Sequence, residues 1–274
     1  MDPSKKMQQD AEAVRAAAHP MDGSAHDHDA LLQRIGDAHY VLLGEASHGT
    51  HEFYAERAAI TRRLFTEKGF SAVAVEGDWP DAWRVNRYVR GLGDDASADE
   101  ALAGFTRFPT WMWRNREVAR FVEWQRAFNE AGPPQGKTGF YGLDLYSLHG
   151  SIEAVLGYFD RTDAEGARLA RERYGCFDRV GDGGQVYGLT AGLGNTPSCQ
   201  KEVVEMLVRL RSPAAEAAHH GDPAAGEDAF DAEQNARLIR NAEGEIIGAV
   251  GVSGAKSEQD VQIARAGIAA LNPA

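Results

Sequence analysis

Glu45 and His48 close the apolar stretch VLLGEASHGTHEF (residues 41–53), Arg57 follows within the next apolar pattern, Glu76 ends AVAVEG, and Asp144 follows GFYGL. A carboxylate beside an imidazole orients the ring and strengthens it as a base. A guanidinium nearby can stabilise the negative charge that develops when water adds to a carbonyl. Arg57 falls on the apolar line Phe53, Ile60 and Leu64 rather than on a solvent face. A buried cation needs a partner, because an unpaired charge away from water is very unfavourable. Glu45 and Glu76 are the candidates. The pattern predicts a hydrolytic general-base site of His48, Glu45, Glu76 and Arg57, with Asp144 and the two tryptophans of the WMW triplet, Trp111 and Trp113, binding substrate. A structural reading of the same residues stands beside it: glutamates capping turns, His48 bonding its own loop, and Arg57 with Glu76 as an ion pair of the scaffold.

Other chemistries are poorly served. His48, His51 and Glu52 do not form H-E-x-x-H, and Cys176 and Cys199, the two cysteines, lack C-x-x-C spacing, so no metal or other cofactor is expected. Metal-assisted hydrolysis with Glu45 and His48 as ligands is the rival within the enzyme class. Neither G-x-S-x-G nor a P-loop occurs. His219 and His220 sit in the Gly, Pro and Ala-rich patch HHGDPAAGED and read as solvated.

The elements that must carry these residues follow from periodicity. YVLLGE reads as a strand after a short helix, HDALLQRIG, capped by Asp27 or Asp29. From Thr50, an N-cap, the apolar residues recur at helical spacing until Gly69. FSAVAVEG and GFYGLDLYSL are short apolar runs, as expected of strands buried on both faces. Between them WPDAWRVNRYVRG and RNREVARFVEWQRAFNEAG are amphipathic. Residues 151–174 read as helical, a glycine-rich passage follows to Cys199, and two more helices surround the linker-like patch at residues 219–228. Helices alternating with buried strands define an α/β fold, a layered parallel-type sheet with flanking helices. Glu45, Glu76 and Asp144 then all lie at carboxyl ends of strands, the edge at which open parallel sheets bind ligands.

The chain has 274 residues, 29 Lys and Arg against 41 Asp and Glu, and a formal charge of -12. Such a field repels phosphate backbones and anionic lipid surfaces, which argues against nucleic acid or membrane partners. No signal peptide or membrane-length apolar run is visible, so a cytoplasmic protein is expected.

The motifs GEASHGTHEFYAER, VAVEGDWPDAWRVNRYVRG, FPTWMWRNREVARFVEWQRAFN, FYGLDLYSL and DAEQNARLIRNAE resemble the erythromycin esterase family in order and spacing over residues 27–243. The resemblance implies a hydrolase of ester or lactone bonds. The best-known members open the macrolide lactone ring without a metal, an antibiotic-resistance activity. It also implies His48 as general base, Glu45 and Glu76 as the family glutamates and Arg57 as the family arginine. The chain departs from the family after Glu243: a W-A-H-N-x-H-like motif is missing. The tail GEIIGAVGVSGAKSEQDVQIARAGIAALNPA instead resembles the end of a GlcG or HbpS-like domain, some of whose members bind haem. No haem site is expected of the fragment alone. The expected organisation is a polar leader at residues 1–26, an esterase-like domain incomplete in its C-terminal half at 27–243, and a fused GlcG-like fragment at 244–274. An incomplete parallel sheet exposes an edge, so self-association is expected. The alternative function is a non-catalytic remnant that binds a small molecule without turning it over.

Overall fold

The computed structural model describes residues 3–18, 21–134, 136–144, 147–175, 177, 200–210 and 223–241. Helices α1 (Pro3–Ala17), α2 (Asp29–Ile35) and α3 (His51–Lys68) precede strand β1 (Ala72–Asp78). Helix α4 (Trp79–Arg90), α5 (Ala98–Leu102), a 3-10 turn (Thr110–Met112) and α6 (Arg116–Glu130) lead to β2 (Gly139–Asp144). Helices α7 (Leu148–Thr162), α8 (Ala164–Tyr174), α9 (Gln200–Leu210) and α10 (Pro223–Asn241) follow. None of the described helices is long and apolar enough to cross a membrane.

The two strands pair in parallel, Ala72 opposite Gly139 through Val75 opposite Gly142, and after an irregularity Asp78 stands opposite Asp144. Gly142 permits this approach: a Cβ there would collide with the backbone carbonyl oxygens of Gly77 and Asp78. Helices therefore flank a small parallel sheet, the α/β arrangement that the alternation of apolar patterns predicts.

Two expectations about strands need correction. YVLLGE pairs with neither strand and is irregular. Its alternation persists as burial, with Val41, Leu43 and Glu45 turned inward while Leu42 is 72% and Tyr40 60% exposed. Alternation specifies which face is covered, but a strand also requires a partner for its backbone groups. β1 is likewise covered on one face only, since Ala72 and Ala74 are exposed.

Helix ends follow local chemistry closely. α3 begins after Thr50 and stops at Gly69 in the left-handed conformation, as its pattern predicts. Asn115 caps α6 by accepting from the Val118 N–H. The helical stretch expected over residues 151–174 is two helices, because the Asp163 carboxylate caps α8 by accepting from the Gly166 N–H. Asp27 does not cap α2; its carboxylate accepts from the Asp22 and Gly23 N–H groups instead. α10 starts at Pro223, so the last residues of the linker-like patch are helical, with proline tolerated in the first turn where its missing N–H has no role. The glycine-rich passage with both cysteines, His219, His220 and the tail after residue 243 lie outside the described residues.

Packing produces two apolar centres. One joins α3, α4, α5, α6 and β2 through Phe65, Val85, Val89, Leu102, Val122 and Phe140. The other joins α7, α8, α9 and α10 around Val155, Phe159, Ala170 and Met206. The first contains a polar clamp that fixes where β2 begins. Asn129 Oδ1 accepts from the Thr138 N–H at 2.7 Å, while its Nδ2 donates to the carbonyls of Val89 and Thr138, each at 2.9 Å. Asn86 Oδ1 accepts from the Phe140 N–H, and Gln125 Nε2 donates to the Gly139 carbonyl. Asn129→Ala strands several buried backbone groups at once. It is expected to lower unfolding stability by about 2–3 kcal/mol, measured by urea denaturation; a loss under about 0.5 kcal/mol, the range of ordinary surface substitutions, would show that the clamp is dispensable.

Candidate active site

Glu45 lies between two cationic or donor groups. Its Oε1 meets His48 Nδ1 at 2.5 Å, and its Oε2 lies 2.7 Å from Arg57 Nη2. The second approach is an ion pair without hydrogen-bond alignment, since Oε2 is buried with no geometrically satisfied partner. Glu45 is 9% exposed, Arg57 23% and His48 40%, so the carboxylate is the most buried of the three and the imidazole the most exposed. With the carboxylate on Nδ1, the neutral ring carries its proton there and leaves Nε2 as the outward acceptor. Arg57 is held on its other side by Tyr54, one turn earlier on α3, whose ring centroid is 4.8 Å from the guanidinium carbon. The partner of Arg57 is therefore Glu45 and not Glu76, because α3 carries it over the loop that precedes the helix rather than over β1.

Glu76 belongs to a second group at the end of the sheet. Asp78 and Asp144 are register partners there, and Arg107 lies 3.8 Å from each. Burial first, then the charges of Asp78 and Glu76, push the Asp144 carboxyl up to about 6. Burial and Asp78 push Asp81 up to about 6 as well. Among the described residues no group of three or more His, Cys, Asp or Glu side chains is arranged to hold a metal ion.

The segment around the 3-10 turn spans both groups. Trp111 covers Gly49, where φ is +78° and a Cβ would lie 2.8 Å from the indole ring. Trp113 donates from Nε1 to the Glu76 carbonyl at 2.7 Å and meets Tyr54 edge-on. Trp111 is 46% exposed and faces a cavity of about 450 Å³ lined also by Gly49, His51, Tyr54, Asn115, Arg116 and Glu117. Trp113 packs against the first apolar centre. Burial would raise the Glu117 carboxyl, but the Arg116 hydrogen bond and the charges of Arg120 and His51 hold it below the usual range.

The structure thus brings Glu45, His48 and Arg57 together, places Glu76 with Asp144, and sets Trp111 and Trp113 between the two groups. Sequence reasoning missed Tyr54, Arg107, Asp78 and Asp81. Tyr54 had a signal in its i, i+3 spacing from Arg57; Asp78 had one in its position two residues beyond Glu76, on the same side of the strand. Arg107 had none, since it arrives from a loop.

A family model described as erythromycin esterase matches residues 65–266. Glu76, Trp111, Trp113 and Asp144 fall inside that segment, Glu45, His48 and Arg57 precede it, and the match continues past Glu243. The chain is 28% identical over 166 residues to an erythromycin esterase type II of Escherichia coli, covering 59% of this chain and 37% of that protein. It therefore spans little more than a third of that relative. A succinoglycan biosynthesis protein shares the fold with a TM-score of 0.64 at 21% identity, over 85% of this chain and 55% of that one. A histidine-to-asparagine mutant of the erythromycin esterase EreC in its open conformation gives 0.51 at 17% identity, over 91% of this chain and 62% of that one.

The crowded aspartates carry a pH signature. The ordinary aspartate value is 3.8, and Asp81 and Asp144 are held near 6 in the fold. Between those limits the native state keeps protons that the unfolded chain has released, so their contribution to stability falls as pH rises through the window and is level above it. Asp144→Asn is expected to raise the melting temperature at pH 7.5, with the gain fading as pH approaches 4. Thermal melts across that range check it, and a gain independent of pH would contradict it.

Proposed function

We propose, for a chain that belongs to the erythromycin esterase family, that it hydrolyses an ester or lactone with His48 as the general base. The observation that carries this reading is the line of Arg57, Glu45 and His48, in which the carboxylate is shared between a guanidinium and Nδ1 of the imidazole. Glu45 fixes the ring and its tautomer, Arg57 fixes Glu45, and Nε2 is left to take a proton from water. The water oxygen adds to the carbonyl carbon as its proton passes to Nε2. The tetrahedral intermediate then collapses, the ester C–O bond breaks, and the departing alkoxide recovers the proton from Nε2. Trp111 lines the cavity that the remainder of the substrate would occupy, while Glu76 and Asp144 lie at the carboxyl end of the sheet, outside that lining.

General-base chemistry suits this geometry better than metal ligation. Glu45 and His48 turn their ligating atoms toward each other, and the second carboxylate oxygen faces Arg57. Two ligands aimed at a common ion would leave those directions open.

Hydrolysis of a panel of macrolides and simple esters, followed by mass spectrometry, tests the reading with the protein and its His48→Ala variant side by side. The expected outcome is water addition to at least one substrate, abolished in His48→Ala. Glu45→Gln is expected to lower kcat by about 100-fold or more, because the ring loses its charged partner. Equal rates in the protein and His48→Ala would contradict the reading and favour a protein that binds small molecules without turnover.

A further inference from the structure

Hydrolysis through His48 needs a donor for the carbonyl oxygen that gains charge, and Arg57 is engaged by Glu45. Helix α3 begins at His51, three residues after His48. Its N-cap residue, Thr50, turns its hydroxyl to Ser47 Oγ at 2.8 Å and makes no side-chain bond to the helix. The Tyr54 N–H is the first to reach back to the Thr50 carbonyl, so the N–H groups of His51, Glu52 and Phe53 precede the start of the hydrogen-bond ladder without a cap. An 18-residue helix concentrates partial positive charge at that end.

A second observation points to a ligand at the same place. Tyr54 is 5% exposed; the Gly49 N–H and the Arg57 guanidinium face its hydroxyl oxygen as donors, and the hydroxyl's own proton has no aligned acceptor. Buried hydroxyls almost always place their proton on an acceptor, so one beside a cavity that lacks it invites a bound acceptor. Side chains in a first turn lean back toward the helix N-terminus, and Tyr54 lines the cavity of about 450 Å³ together with Gly49 and His51. Burial, reinforced by the charge of Glu45, holds the phenol above its ordinary range, so the oxygen keeps its proton at neutral pH and can donate it in a hydrogen bond. The nearby carboxylate of Glu117 is already engaged by Arg116 at 3.1 Å, Arg120 at 3.3 Å and His51 at 3.4 Å.

We propose that the uncapped first turn of α3 and the Tyr54 hydroxyl form the oxyanion site of this chain, a role that rests on the general-base reading above. As water adds and its proton moves to His48 Nε2, the carbonyl π electrons pass to oxygen. That oxygen accepts hydrogen bonds from the Tyr54 O–H and from first-turn amides, and Tyr54 keeps its proton throughout. Preorganised donors of this kind act where charge develops and need no rearrangement during the step. The site also accepts a stable tetrahedral monoanion of the same shape.

The test combines p-nitrophenyl butyrate kinetics with calorimetric binding of ethyl butylphosphonate, a tetrahedral monoanion. Tyr54→Phe removes one oxygen and keeps the ring against Arg57 and Trp113. It is expected to lower kcat by about 100-fold with KM within about twofold, and to weaken phosphonate binding at least 10-fold. Thr50→Asp supplies α3 with a carboxylate cap, which should leave the melting temperature unchanged or higher while displacing the phosphonate. His48→Ala should abolish turnover and still bind the phosphonate. Phosphonate binding that depends on Tyr54 and Thr50 without His48-dependent hydrolysis would support the anion site and overturn the hydrolytic reading instead. His48-dependent hydrolysis with kcat and phosphonate affinity unchanged in both Tyr54→Phe and Thr50→Asp would overturn the oxyanion assignment alone.

Discussion

The Glu45 carboxylate, nearly buried between Arg57 and His48, is the constraint on which the site depends. A charge in that position must be matched, and removing one member of such a group leaves the others uncompensated away from water. Arg57 can match it only if α3 is fixed in position. Leu64 and Phe65, two turns further along the same helix, provide that fixing: both are buried, and Phe65 stacks near Trp124 and Phe128 of α6. The imidazole, the most exposed of the three, inherits its orientation from the helix packing that fixes Arg57 and, through it, Glu45.

The same logic joins the sheet to the loop that holds His48. Trp113 bonds the Glu76 carbonyl and meets Tyr54, while Trp111 presses on Gly49, so one short segment sets the loop against the end of β1. The aspartates at that end repel one another and are partly withdrawn from water, an arrangement that destabilises the fold near neutral pH. Functional sites commonly retain such unfavourable groups. The second apolar centre is tied on through Trp79, the residue after Asp78, donating to Asp231, and through Arg87 pairing with Asp228.

Much of this was legible in the sequence because the periods of helix and strand are strong signals. α3, with its Thr50 start and Gly69 stop, and the strands at Ala72 and Gly139 follow directly from apolar spacing and glycine position. Arg57 on the apolar line of α3 announced a buried partner, and Glu45 is that partner. What could not be read was pairing in space. YVLLGE has the pattern of a strand and lacks the ladder. Glu76 lies with Asp144 because β1 and β2 are neighbours, a fact of topology that no local pattern contains. Arg107 and the Asp163 break between α7 and α8 are set by single side chains, below the resolution of periodicity.

General-base chemistry at His48 requires that Glu45 fix the imidazole so that Nε2 is the free nitrogen. Nitrogen-15 NMR of the His48 ring, at a pH where the ring is neutral, reads the tautomer directly. A protonated Nδ1 with an unprotonated Nε2, lost in Glu45→Gln, is the result expected. A protonated Nε2, or rapid averaging of the two tautomers as in a free imidazole, would contradict it.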